Sequence, residues 1–239
     1  RSGSRIPSSA SRVIHKMIQL SLSVIAILVF ALALFVWRAR PDSEVNCSFA
    51  AFTVFVALWV MGIAAFHSGT YLDLWARSIF AVASFLPATF LAFARHYPLK
   101  SRWPTPPTLC LNYLVASFFA GLALFTRSIV RNTALTPAGP TRELGSLYPS
   151  FAIYFLVVWS GAFVVLTVKW RHTRGLARTQ LHYLAICFLI GGAGGISMNL
   201  LVPLLNGSGV YSWIGQHFAL VNIGETTRSA GGAGREAGY

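Results

Sequence analysis

Long apolar runs separated by short polar segments dominate this chain. Residues 18–37 form the first, twenty uncharged positions rich in Leu, Ile, Val, Ala and Phe. A helix of that length crosses a hydrocarbon core of about 30 Å. Comparable runs follow at 49–65, 74–94, 108–126, 147–168 and 181–205; the third carries a single charge, Arg77, and the sixth has no Asp, Glu, Lys or Arg. The fifth opens with Tyr148, Phe151 and Tyr154, aromatic residues of the kind that favour a membrane interface. A seventh stretch, 211–223, has only thirteen residues where a span needs about twenty. The pattern predicts an all-α fold, a polytopic transmembrane helical bundle of six full spans plus a truncated seventh. The first run lacks a small-residue cleavage site and is too long for a typical signal-peptide core, so it is expected to remain as a span.

The two ends break the pattern. Residues 1–16 are polar and precede Met17, which stands directly before the first span, so they read as a non-native or disordered leader and Met17 as the start. Residues 224–239, ETTRSAGGAGREAGY after Gly224, are rich in Gly, Ala and Arg without hydrophobic period, and read as a disordered or out-of-frame tail. Residues 17–223 are then the membrane module.

Composition sharpens this reading. Hydrophobic residues make up 55% of the chain and charged ones 10%, against roughly 25% charged in ordinary soluble domains, which excludes a water-soluble globule. Nineteen Lys and Arg against six Asp and Glu give a net charge of +13. The charges sit in short clusters between apolar runs, and such clusters offer no continuous basic face for a phosphate backbone, so no nucleic-acid partner is expected. Loops after the first, third and fifth spans hold nine basic residues: Arg38, Arg40, Arg95, Lys100, Arg102, Lys169, Arg171, Arg174 and Arg178. Loops after the second, fourth and sixth hold three, Arg127, Arg131 and Arg142. The positive-inside rule then predicts a multi-pass protein of the cytoplasmic membrane with its N-terminus outside. Arg1, Arg5, Arg12 and Lys16 oppose that orientation if translated, a second reason to set the leader apart.

Chemistry is sparse. Lys16, Lys100 and Lys169 are expected to flank spans, so no lysine is placed to bind retinal as a Schiff base. Paired Asp, Ser with His, or a His-rich metal box inside the spans is lacking, which argues against intramembrane proteolysis. Cys47, Cys110 and Cys187 have neither disulfide nor zinc spacing and read as small apolar fillers; no cofactor or metal is expected. Arg77 is the one intramembrane charge and a functional candidate for that reason. Asp73, four residues earlier, shares its helical face and can pair with it, leaving two readings: an interfacial ion pair with Arg77 snorkelling outward, or a ligand or switch contact. Pro87 predicts a kink in the third span. The stripe Gly191, Gly192, Ala193, Gly194, Gly195 allows close helix packing, and Asn199 is placed to bond a neighbouring helix or a ligand. Asp73, Arg77 and Asn199 are the candidate contacts.

Several short patterns then fall into a known order: LWVMG at 58–62, WAR at 75–77, Pro87, FARHYP at 93–98, LYPSFAIYF at 147–155, GLARTQLHYL at 175–184 and NLLVP at 199–203. Together they resemble the N-terminal seven-transmembrane region of bacterial sensor histidine kinases, and variants of it that precede diguanylate cyclases, over residues 17–220. The resemblance implies a seven-helix sensory input module with an outside N-terminus, a cytoplasmic C-terminus leading to an output domain, and a dimer, since kinase and cyclase outputs favour one. This chain shows no phosphoacceptor helix, no Gly-rich ATP site and no cyclase sequence, so the expectation is a non-enzymatic module whose stimulus is an unidentified small molecule or bilayer change. The rival reading is a small membrane transporter or permease component. It is disfavoured because the midplane residues are mostly apolar and no repeat relates spans one to three with four to six.

Overall fold

A computed structural model describes residues 9–136, 139–196 and 199–200. Six segments in it are long and apolar enough to cross a membrane. The first, Lys16–Ala39, belongs to α1 (Ser9–Ala39), which begins eight residues before Met17, inside the expected leader. The stretch 211–223 and the tail 224–239 lie outside the described residues.

Local chemistry sets the helix ends. α2 (Glu44–Phe66) starts where the Ser43 side chain accepts from the Asn46 amide, with Glu44 in its first turn beside the positive end of the helix dipole. α5 (Pro106–Phe125) is capped by Thr105 and has Pro in its opening positions, where a missing N–H does no harm. Basic residues fill the last turns of α1, of α4 (Phe85–His96) and of α6 (Tyr148–His172), and are missing from those of α2 and α5. The charge asymmetry of the loops is thus also an asymmetry of helix ends.

The third span, 72–96, comprises α3 (Leu72–Ala83) and α4. Its break falls at Ser84, three residues before Pro87, because Pro87 has no N–H to offer the carbonyl of Ala83 one turn back. The Tyr154 hydroxyl of α6 donates to the Ser84 carbonyl at 3.0 Å, which ties the break to a neighbour.

This broken span is the axis of the bundle. It packs against α2, α5 and α6, while α1 lies along α2. Around Phe90, which is fully buried, gather Phe52 of α2, Trp159 and Phe163 of α6, and Phe188 of α7 (Leu176–Ile196), with ring centroids 5.6, 4.5, 5.4 and 4.7 Å away. The glycine stripe of α7 packs as expected: a Cβ at Gly192 would sit 2.7 Å from the Trp159 ring, so only glycine lets α7 approach α6 there.

Beside these helices lies one small sheet. β1 (Val130–Thr136) and β2 (Gly139–Leu144) pair antiparallel, Thr136 opposite Gly139 and Thr133 opposite Arg142, with an irregularity between Val130 and Asn132. The helical bundle is as expected, and the hairpin is an addition to it. Its base is close: Gly145 N–H bonds the Ile129 carbonyl and Leu147 N–H that of Ser128, both at 2.8 Å, and a Cβ on Gly145 would collide with the Ser128 carbonyl.

Phe90→Ala is expected to destabilise the bundle by about 3 kcal/mol, the low end for emptying an aromatic site, because lipid offsets the transfer part of that loss while the cavity remains. Reversible unfolding in micelles measures it. A change under about 1 kcal/mol would show that the four neighbouring rings collapse into the space.

Candidate functional site

Hydrogen bonds place the polar residues at two opposite ends of the bundle. At one end the α1–α2 and α4–α5 connections meet the end of α6. The carbonyls of Ala94, Arg95, Tyr97 and Leu99 converge on the Lys169 ammonium at 2.7, 2.6, 2.7 and 2.8 Å. The last carbonyls of a helix have no intrahelical partner, and here a cation from α6 supplies one. The sequence reading set Lys169 in a loop; it lies instead in the last turn of α6, turned onto α4. Nearby, Glu44 accepts from Lys100 at 2.8 Å and lies 3.6 Å from His96, beside an open groove of about 450 Å³.

At the other end stands the hairpin. Strand alternation turns Pro140 and Arg142 of β2 inward, while Glu143 is exposed and accepts from Asn132 at 3.1 Å. Arg142 is only 3% exposed. Its guanidinium carbon lies 4.9 Å from the Phe80 ring centre and 6.0 Å from that of Phe66, and its Nε and one terminal nitrogen, Nη1, are buried without a hydrogen-bond acceptor. Burial pushes its pKa down, opposed by the neighbouring Tyr148, yet an arginine stays charged in a protein. A desolvated cation–π contact contributes about 2 kcal/mol, whereas an uncompensated buried ion costs about 3–5 kcal/mol. Phe66, at 6.0 Å, lies at the edge of the range of such a contact, and neither ring gives Nε or Nη1 an acceptor.

The sequence-derived candidates lie at this same end. Arg77 and Asp73 pair at 3.0 Å, with side chains 16% and 53% exposed. The Nη1 of Arg77 also reaches the Leu124 carbonyl at the end of α5, at 3.4 Å. Asn199, 8% exposed, turns its side-chain amide back to the Gly195 carbonyl at 3.1 Å, while its own backbone carbonyl and that of Leu200 accept from the Tyr148 hydroxyl at 3.3 and 2.9 Å. Tyr148 and Phe80 meet edge to face at 5.7 Å. Phe80 thus touches both Arg142 and Tyr148, which links the hairpin to residues 199–200 through α3 and α6.

Arg142, Tyr148 and Lys169 are the polar residues that sequence reasoning missed as site residues. Each was visible, two as loop charges and one as an interfacial aromatic. The signal for Arg142 was the alternation of Pro140, Arg142 and Leu144 after the Pro137-Ala138-Gly139-Pro140 turn composition. Among the described residues no three His, Cys, Asp or Glu side chains converge to hold a metal.

Compared with known families, residues 21–208 match the model described as the N-terminal 7TM region of histidine kinase. No curated protein matches the chain.

Lys169→Met is expected to lower stability by about 1.5–3 kcal/mol, the worth of one hydrogen bond to a charged group, since the carbonyls it frees regain water at this end. Asp73→Asn, at a half-exposed pair, is expected to change it by less than about 1 kcal/mol. Thermal denaturation of the two variants side by side is the check; equal melting temperatures would remove Lys169 from its place as the link between α4 and α6.

Proposed function

The chain belongs to the family of N-terminal 7TM regions of histidine kinases, and from that premise we propose that it is the membrane-embedded sensory input module of a bacterial receptor, placed in the inner membrane with its N-terminus outside and joined at its C-terminus to a cytoplasmic output domain. Residues 17–223 would be the module, with 1–16 a non-native or disordered leader and 224–239 a disordered or out-of-frame tail. The family match carries this reading. Support comes from the charge distribution: the end built by Lys169, Lys100, Arg95 and the basic last turns is the one that the positive-inside rule assigns to the cytoplasm. The hairpin end would then face outward, where a stimulus arrives.

On this reading Asp73, Arg77 and Asn199 are contacts of an outer switch. Arg77 joins α3 to the end of α5, and the Asn199 carbonyl, just past α7, accepts from Tyr148 at the head of α6. A stimulus shifts such an arrangement only by binding its two states unequally. The output domain would work as a dimer, with α7 leading toward the seventh helix that conveys the shift. Transport receives no support, because the midplane between the spans is filled by Phe52, Phe90, Trp159, Phe163 and Phe188.

Two measurements test the proposal. Reporter fusions at Lys100 and Arg174 are expected to report cytoplasm, and fusions at Ala134 and Gly207 the outside; the reverse pattern overturns the orientation. In a chimera carrying a histidine kinase output domain, Arg77→Gln is expected to change autophosphorylation several-fold while membrane level stays that of the parent, and Asp73→Asn with Arg77→Gln to match the single Arg77 variant. Unchanged output in all of them removes the pair from the switch.

A further inference from the structure

Among the described residues, a cation at the hairpin end has no counter-ion. Of the acidic residues in the described part of the chain, Asp42 and Glu44 lie at the α1–α2 connection of the opposite end, Asp73 pairs with Arg77, and Glu143 points away on the outer face of β2 with Asn132. None pairs with Arg142, whose Nε and Nη1 are buried and lack acceptors. Its guanidinium carbon lies over the Phe66 and Phe80 rings. Buried charges in folded proteins are paired, and among the described residues no acidic side chain pairs with this one.

We propose that Arg142 anchors a binding site beneath the hairpin for a small monocarboxylate with an apolar body. One cation calls for one negative charge, and a dianion would leave a net charge buried among aromatic rings. A carboxylate suits because its two oxygens accept from the edge of a guanidinium in its own plane. Phe66, Phe80 and Tyr148 supply the apolar wall. A free anion is favoured over a lipid headgroup, since Arg142 turns inward to the buried rings of α2 and α3 rather than to the perimeter of the bundle. The two nitrogens are closed off in this arrangement, so the ligand enters with an outward displacement of β2. Binding therefore discriminates between two hairpin positions, which deepens the sensory reading and for its signalling consequence rests on it.

The test uses the full chain in phosphatidylcholine nanodiscs, with acetate, butyrate and benzoate as probes and benzamide as the neutral counterpart of benzoate. At least one carboxylate is expected to bind and raise the melting temperature, benzamide not. Arg142→Gln is expected to weaken carboxylate binding at least tenfold, Arg142→Lys less, and Glu143→Gln, on the outer face of the same strand, less than twofold. Should Arg142→Gln fail to fold, the contrast of benzoate with benzamide on the parent protein still decides. Binding by none of the three carboxylates, equal effects of benzoate and benzamide, an equal effect of chloride, or full affinity in Arg142→Gln would each overturn the proposal. So would an Arg142-dependent stabilisation by phosphatidylglycerol in place of the carboxylates, which would make the partner a lipid. Because binding is read without an output domain, a chimera that binds carboxylate but keeps constant kinase output refutes the sensory reading and leaves the site standing.

Discussion

Helices inside a bilayer gain little from the hydrophobic effect when they associate, since lipid tails are as apolar as leucine; packing and hydrogen bonds must hold them together. The span 72–96 meets that constraint for the whole bundle. Its most apolar window is 78% buried, far more than that of any other span. Phe90 at its middle touches rings from α2, α6 and α7, and the dispersion summed over these close contacts is what lipid contacts would have to match. The other spans keep lipid-facing sides, as the many exposed Leu, Ile, Val and Phe of α1, α5 and α6 show.

That same span is discontinuous, and its two pieces serve different ends. α3 carries Arg77 and Phe80, which contact α5, the hairpin and Tyr148. α4 carries the carbonyls that Lys169 holds. Between them Ser84 is fully buried, bonds the Phe80 carbonyl through its hydroxyl at 2.8 Å and accepts from Tyr154. A break in a helix otherwise leaves polar backbone groups exposed to hydrocarbon, and it is tolerated where neighbouring side chains satisfy them. Tyr154 of α6 thus meets both the need for a bonded backbone and the need for a fixed angle between α3 and α4.

How far the sequence disclosed this depends on which interactions are local. Six spans were legible because hydropathy over about twenty residues is a property of one segment and the bilayer sets its length. The pairing of Asp73 with Arg77 was legible for the same reason, since i,i+4 spacing lies within one helix. The break in the third span was legible through Pro87, although its place at Ser84 follows from the hydrogen bond one turn back. Lys169 and Arg142 were not read as site residues because their partners lie in distant segments: Lys169 meets carbonyls some seventy residues earlier, and Arg142 meets rings of α2 and α3. The hairpin escaped because its strands are short and polar and sit between two much stronger helical signals.

Two cations at opposite ends of the described bundle, Lys169 half-buried and Arg142 buried, show why one acts as a strut and the other as a vacancy. Lys169 leaves water in part and Arg142 almost wholly, yet an ammonium has three protons and Lys169 finds four carbonyl oxygens within 2.8 Å. Hydrogen bonds to charged groups contribute about 1.5–3 kcal/mol each, so that set offsets a desolvation penalty of several kcal/mol. Arg142 has five protons to place and two aromatic faces, with no acceptor at Nε or Nη1. Apolar residues of similar size would fill its place at no loss of packing, and often with a gain in stability. A strand that nonetheless sets a guanidinium there, between a turn and the head of α6, is arranged for something other than the stability of the closed bundle, and the charge it leaves uncompensated is the feature to which an incoming anion answers.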